Sequence, residues 1–173
     1  LTLSENTLER CRQEAPEGVG FHVHVAEHEA DEYDSLAKTG ERVVDRLHRH
    51  GLLGQQSIAV HAVHVDAAEI QVLAETGTWV THQPRSNMNN AVGIGDVEAL
   101  LRAGVRVGLG NDGFSNAMWQ EWKAAYLGHK LIHRDPRRMQ ADKIYQMAIL
   151  NNRKFVERSF GGLDTGRITP GAR

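Results

Sequence analysis

The stretch Phe21-His22-Val23-His24-Val25-Ala26-Glu27 decides the fold. Phe21, Val23 and Val25 alternate with His22 and His24, the period of a half-buried strand. Period two puts both histidines on one face and the apolar residues on the other. Toward its C-terminal end come an imidazole, His24, and, three residues on, a carboxylate, Glu27. Such a pair can hold a metal and move a proton.

Three later stretches read as strands that also end in polar groups. Residues 57–65 carry Ile58, Val60, His61, Val63 and His64; residues 78–82 end at His82; residues 105–109 run into Gly110-Asn111-Asp112-Gly113. Helices are expected over 4–15, 39–50, 67–76, 96–103, 117–133, 139–150 and 151–159. Ser4 and Asp66 are N-caps, Gly51 and Gly77 are stops, and Val43, Val44 and Leu47 face inward. Glu27–Asp34 reads as an acidic, solvated loop. Residues 83–95, with Pro84, Arg85, Ser86, Asn87, Asn89 and Asn90, read as a long polar loop serving either turn chemistry or binding.

Strand, polar loop and helix alternate four times, which argues a parallel sheet with right-handed crossovers. In such sheets function gathers at the C-terminal strand ends, and there stand His24 and Glu27, His61 and His64, His82, and Asp112. No Gly-x-Gly-x-x-Gly follows the first strand and no Walker loop is present, which excludes those two phosphate-binding folds. A closed (β/α)8 barrel needs eight units and about 250 residues. Four units are visible, so the expected fold class is α/β, a TIM-barrel fragment forming one unit over residues 1–173.

Composition sets outer limits. The chain has 173 residues, 40% hydrophobic and 24% charged, enough for the core of one domain. A net charge of −2 gives no reason to expect nucleic acid or an anionic membrane as partner. Cys11 is the single cysteine, so no intramolecular disulfide and no cysteine-based zinc motif can form. With no membrane-length apolar run and no signal peptide at its start, a cytoplasmic location is expected. The chain opens on Leu1 rather than Met, so a preceding segment is expected. Of the ten histidines, His48 and His50 close a helix whose dipole favours cations there, a structural role. Arg134, Arg137 and Arg138 read as a solvated basic face.

His24-Val25-Ala26-Glu27-His28 also spells H-x-x-E-H, a metalloprotease motif. That motif needs a helix to put both histidines on one face, and the residues before it are strand-like. On a strand end, His24 is a neutral nitrogen ligand for Zn²⁺ or Fe²⁺, and Glu27 can reach a substrate beside the metal. Asp112, between two glycines, can ligate metal and take a proton from water. His61 can hydrogen-bond that water or polarise the leaving group.

The stretches "FHVHVAE", "VHAVHV", "THQPRSNMNNAVGIGDVEALLRAGVRVGLGNDG" and "GRITPGAR" resemble the amidohydrolase superfamily, in its cytosine-deaminase-like and chlorohydrolase branch. The Arg85–Asn90 run is most similar to the SsnA-type aminohydrolases. The resemblance implies one divalent metal, zinc or alternatively iron. It also implies hydrolytic deamination or dechlorination of a ring carbon by metal-bound hydroxide, on a small amino- or chloro-substituted heterocycle, and self-association as homo-oligomers.

Residue by residue, the resemblance makes His24 the fifth-strand metal ligand and Glu27 the proton shuttle to the substrate's ring nitrogen. His61 becomes the sixth-strand histidine that orients the nucleophile, and Asp112 the eighth-strand ligand and general base. His64, His82, Arg85, Ser86, Asn87 and Trp119 become substrate contacts. Asn111 departs from the usual Thr or Ser before the aspartate. The first-strand His-x-His pair, strands one to four and the β-sandwich domain are absent. A site with two of four ligands, His24 and Asp112, should hold metal poorly, so residues 1–173 alone are expected to be inactive or poorly folded. A second class stays open: a non-catalytic barrel homologue acting as a structural or interaction module. The intact set His24, Glu27, His61 and Asp112 weighs against it.

Overall fold

The computed structural model describes residues 3–161 and 163–170. The last three residues of the "GRITPGAR" stretch and Leu1 lie outside the described residues. Strands β1 (His22–Val25), β2 (Ile58–His61), β3 (Trp79–His82) and β4 (Val107–Leu109) form one parallel sheet in the order 1-2-3-4. Register pairs His24 with Val60, Val60 with Thr81, and His82 with Leu109. All four strands therefore finish at the same edge of the sheet.

Helices connect and cover the strands: α1 (Glu5–Glu14), α2 (Glu29–Thr39), α3 (Val43–Arg49), α4 (Ala67–Thr76), α5 (Pro84–Asn89), α6 (Val97–Arg102), α7 (Met118–His133), α8 (Ala141–Tyr145) and α9 (Asn152–Phe160). Between α8 and α9 the chain stays helical through a π-helical stretch, Gln146–Asn151. The expected pair of separate helices is thus one continuous run. Val25, Ala59, Val80, Val107 and Leu109 on one sheet face join Leu47, Leu73, Leu100, Ile144 and Met147 from the helices in the main core. Burying each of these valine, leucine, isoleucine and methionine side chains contributes about 1.5–3 kcal/mol. The opposite face carries His22, His24, Ile58, Val60, Trp79 and Thr81. There Ile58, Val60 and Trp79 form a second small cluster under Phe155 of α9.

The acidic segment is a correction. Glu29–Thr39 is a helix, not a solvated loop. His28 Nδ1 caps it by accepting from Ala30 N, Asp31 closes the capping box, and Gly40 ends it at φ 75°. Glu29, Asp31 and Glu32 fill its first turn, where the helix dipole favours negative charge. This pushes the start of the next helix from 39 to Val43. Glu32 is buried rather than solvated.

Glu32 and buried Glu69 accept the Val43 and Val44 amides, the otherwise orphaned donors at the start of α3. Arg42 lies between them, 2.7 Å from Glu69, 3.0 Å from Asp66 and 3.5 Å from Glu32, and donates to His64 O. Burial, and then the charge of Glu69, pushes the Glu32 carboxyl up to about 7.

The basic patch is also partly corrected. Arg138 donates to buried Glu98 at 2.9 Å, while Arg134 and Arg137 are exposed as expected, Arg137 paired with Asp135. His50 is structural, bonded to Glu5 at 2.9 Å. The outer edge of β4 does not present bare backbone. Asn151 Nδ2 donates to Val107 O, Asn152 Nδ2 to Leu109 O, and Leu109 N donates to Asn152 Oδ1. Covering an edge in this way removes a template for strand pairing. Among the described residues no helix is long and apolar enough to cross a membrane.

Candidate active site

Three strand ends leave the sheet through left-handed backbone: Ala26 (φ 45°) after β1, His61 and Ala62 (φ 71° and 47°) at the end of β2, and Asp112 (φ 52°) after β4. Non-glycine residues in this region are uncommon and gather at functional sites. Alternation alone puts His61 on the helix-covered face with Ala59. The left-handed turn breaks that alternation, and the ring faces two carboxylates instead.

His61 Nε2 is 3.6 Å from Glu27 Oε2 and 3.7 Å from Asp112 Oδ2. Ligating atoms of Glu27, His61 and Asp112 all lie within 4.8 Å of one another, the one such group of its kind among the described residues. The His61 side chain is fully buried while its Nε2 has no hydrogen-bond partner among the described residues. Its other nitrogen, Nδ1, is 2.9 Å from Asn87 Oδ1. In the neutral ring, donation from Nδ1 to that oxygen leaves the Nε2 lone pair aimed at the space between the carboxylates. The Asp112 carboxyl is held below its usual range, first by the Ser86 hydroxyl at 2.6 Å, against the opposing effect of burial, and further by His61, the Gly113 amide and His24.

The His24 ring lies 5.2 Å from that of His61, tilted by 31°, and stays outside the three-residue group. It lines, with His22, Gly110, Asn111 and Asp112, a cavity of about 360 Å3 on the face away from the core helices. His24 and Asp112 thus open into one space. An orphaned imidazole nitrogen, two carboxylates and a second imidazole make a nitrogen–oxygen donor set suited to zinc or another first-row divalent metal, so the residues fit the metal that the sequence resemblance implies.

The six expected substrate contacts fare differently, because most of their polar atoms are already spent. Ser86 and Asn87 hold Asp112 and His61. Arg85 donates to Glu121, Gln120 and Ser115 O, which ties α5 to α7. His64 Nε2 is bonded to Val92 O at 2.8 Å. His82 is fully buried, 3.3 Å from His129 Nε2, and burial, with His129 and His61 adding to it, pushes it down to about 3. Trp119 is 75% exposed on α7 and packs on Trp122 rather than in the cavity.

Two site residues are missing from the sequence reading. Gln83 Oε1 accepts from the His61 amide at 3.2 Å, and Asn90 Nδ2 donates to Glu27 Oε1 at 3.0 Å. The asparagine-rich run was the signal for Asn90. Nothing local pointed to Gln83.

The whole chain, residues 1–173, matches the family model for the Amidohydrolase family. The chain belongs to that family. It is 37% identical over 171 residues to a 5'-deoxyadenosine deaminase of Methanopyrus kandleri, covering 95% of this chain and 40% of that protein. It is 37% identical over 172 residues to a 5-methylthioadenosine/S-adenosylhomocysteine deaminase of Syntrophomonas wolfei, covering 96% of this chain and 39% of that one. The crystal structure of an adenosine deaminase from Xanthomonas campestris with bound zinc superposes with a TM-score of 0.84 at 31% identity, over 96% of this chain and 38% of the other. The chain therefore spans about 40% of the length of the curated relatives it matches. The family and the barrel-type α/β fold are those expected from the sequence. The SsnA-type subgroup is not among the names these relatives carry.

Proposed function

We propose that residues 1–173 are the C-terminal half of an amidohydrolase barrel, strands five to eight, and that the protein they belong to is a metal-dependent hydrolase removing an amino group from a ring carbon. The deaminase names of the relatives favour an adenine-type nucleoside as substrate. The observation that carries this reading is the convergence of Glu27, His61 and Asp112 from three strand ends, with ligating atoms within 4.8 Å and a buried, unpartnered His61 Nε2.

His24 and Asp112 are assigned as this chain's metal ligands, the remaining ligands lying outside 1–173. The metal supplies Lewis acidity, which makes water a nucleophile at neutral pH. Asp112, kept ionised by Ser86, takes a proton from the attacking water. His61 accepts a hydrogen bond from that water through Nε2 and fixes its approach. Glu27 delivers a proton to the ring nitrogen beside the attacked carbon. The proton held by Asp112 then passes to the amino group, which leaves as ammonia, and the hydroxyl proton returns to Glu27 as the ring carbon becomes a carbonyl.

Dechlorination would use the same attack with chloride leaving. Ammonia release by the full-length, zinc-loaded protein from adenosine, 5'-deoxyadenosine and 5'-methylthioadenosine tests the reading. Release that disappears in Glu27→Gln supports it. Release that is undiminished in Glu27→Gln, or no release from any of the three, overturns it.

A further inference from the structure

One short segment holds all three converging groups. From α5 and the residue after it, Ser86 Oγ donates to Asp112, Asn87 Oδ1 meets His61 Nδ1, and Asn90 Nδ2 donates to Glu27 Oε1. The three partners come from β1, β2 and β4, and the segment follows β3, so it ties every strand end of the sheet to one support. The support is itself fixed. Its Arg85 amide and guanidinium both bond Glu121, Asn90 N closes the helix on Ser86 O, and His64 takes Val92 O just beyond.

Asn90 differs from the other two. Ser86 and Asn87 are themselves buried, and Asn87 serves a ring sealed from water, whereas Asn90 is exposed and its partner Glu27 is only partly covered. A solvated carboxylate does not need Asn90 for want of a donor. What Asn90 supplies is direction. Asn89 Nδ2 donates to Asn90 Oδ1 at 3.0 Å, which fixes the amide so that its NH2 end, not its oxygen, faces Glu27. Glu27 Oε1 is thereby engaged, and Oε2 is the oxygen turned to His61.

We propose that Asn90 is a positioning residue that commits Glu27 Oε1 and leaves Oε2 as the oxygen that carries the proton. The inference rests on the hydrolase reading above, since it gives Glu27 a proton to move. No bond to substrate is assigned to Asn90. Its effect passes through Glu27 alone, which makes the proposal separable from a structural role.

The test is a double-mutant cycle in the full-length protein with Asn90→Leu and Glu27→Gln. Asn90→Leu should lower kcat roughly tenfold, the loss of one hydrogen bond to a charged group, with little change in KM. In the Glu27→Gln background the same substitution should cost nothing further. An equal loss in both backgrounds, or none in either, overturns the proposal. A Glu27→Gln that turns over normally instead overturns the role of Glu27, a different failure. Crystal structures of wild type and Asn90→Leu give a readout independent of turnover. The Glu27 carboxylate should leave its single orientation while the Ser86–Asp112 and Asn87–His61 pairs persist. An unmoved Glu27 contradicts the proposal.

Discussion

His61 and His82 close neighbouring strands, β2 and β3, and both rings are buried with one nitrogen left without a partner among the described residues. Only one of them belongs to the site. His61 turns through left-handed backbone and points Nε2 at two carboxylates. His82 keeps extended strand geometry, stays on the helix-covered face with Val80, and meets another imidazole, His129. Burial pushes His82 down to about 3 and His129 to about 4, so the pair stays neutral. Identical residue type and strand position thus give an imidazole facing two carboxylates in one case and a sealed polar pair in the other. The backbone turn and the charge of the neighbours decide which.

The sharpest way to break this contrast is kinetic. In the full-length protein, Asp112→Asn and Glu27→Gln should each lower kcat by about 10²–10⁴-fold, the usual contribution of a positioned acid or base. His82→Gln should leave kcat within a few-fold. Steady-state ammonia release measures both, and a large loss in His82→Gln would erase the distinction drawn here.

A smaller effect is expected on stability. His82→Leu leaves His129 facing an apolar side chain and should cost about 1–3 kcal/mol. Adding His129→Leu should recover part of that loss, because an apolar pair leaves no stranded polar atom. Denaturant unfolding of the single and double variants decides it. The pH dependence follows with its sign. Both imidazoles titrate lower in the folded protein than the ordinary 6.5, so their contribution is full above about 6.5 and is lost as pH falls toward 4 and then 3. The double variant should flatten that acid limb of the unfolding midpoint.

The smallest effect belongs to Glu32, where the sign reverses. Its carboxyl is raised from 4.5 to about 7, so its contribution is full below about 4.5 and is lost as pH rises through about 7. Glu32→Gln should flatten the alkaline limb alone, read from the same midpoints between pH 5 and 8.

Local periodicity carries the four strands and most of the helices, because alternation at Phe21–Val25 and the caps at Ser4, Asp66 and Gly77 are short-range signals. It also carries His24, Glu27, His61 and Asp112, since a parallel sheet forces strand ends to one edge. Long-range partners are what it lacks. Counting carboxylates makes residues 27–34 look solvated, yet Glu32 is buried against Glu69 and Arg42, which lie on other elements. The asparagine-rich run announces a polar loop but not that Ser86, Asn87 and Asn90 reach three different groups. The π-helical stretch at Gln146–Asn151, which ends on the first of the two asparagines that cover the β4 edge, leaves no mark in the residue pattern.

Metal content per chain, by elemental analysis of the full-length protein and of its His24→Ala, Asp112→Asn and His82→Ala variants, tests the central claim most directly. The account predicts close to one divalent metal per chain in the wild type and in His82→Ala, and a marked loss in His24→Ala and Asp112→Asn. Equal metal in all four proteins, or none in any, would contradict it.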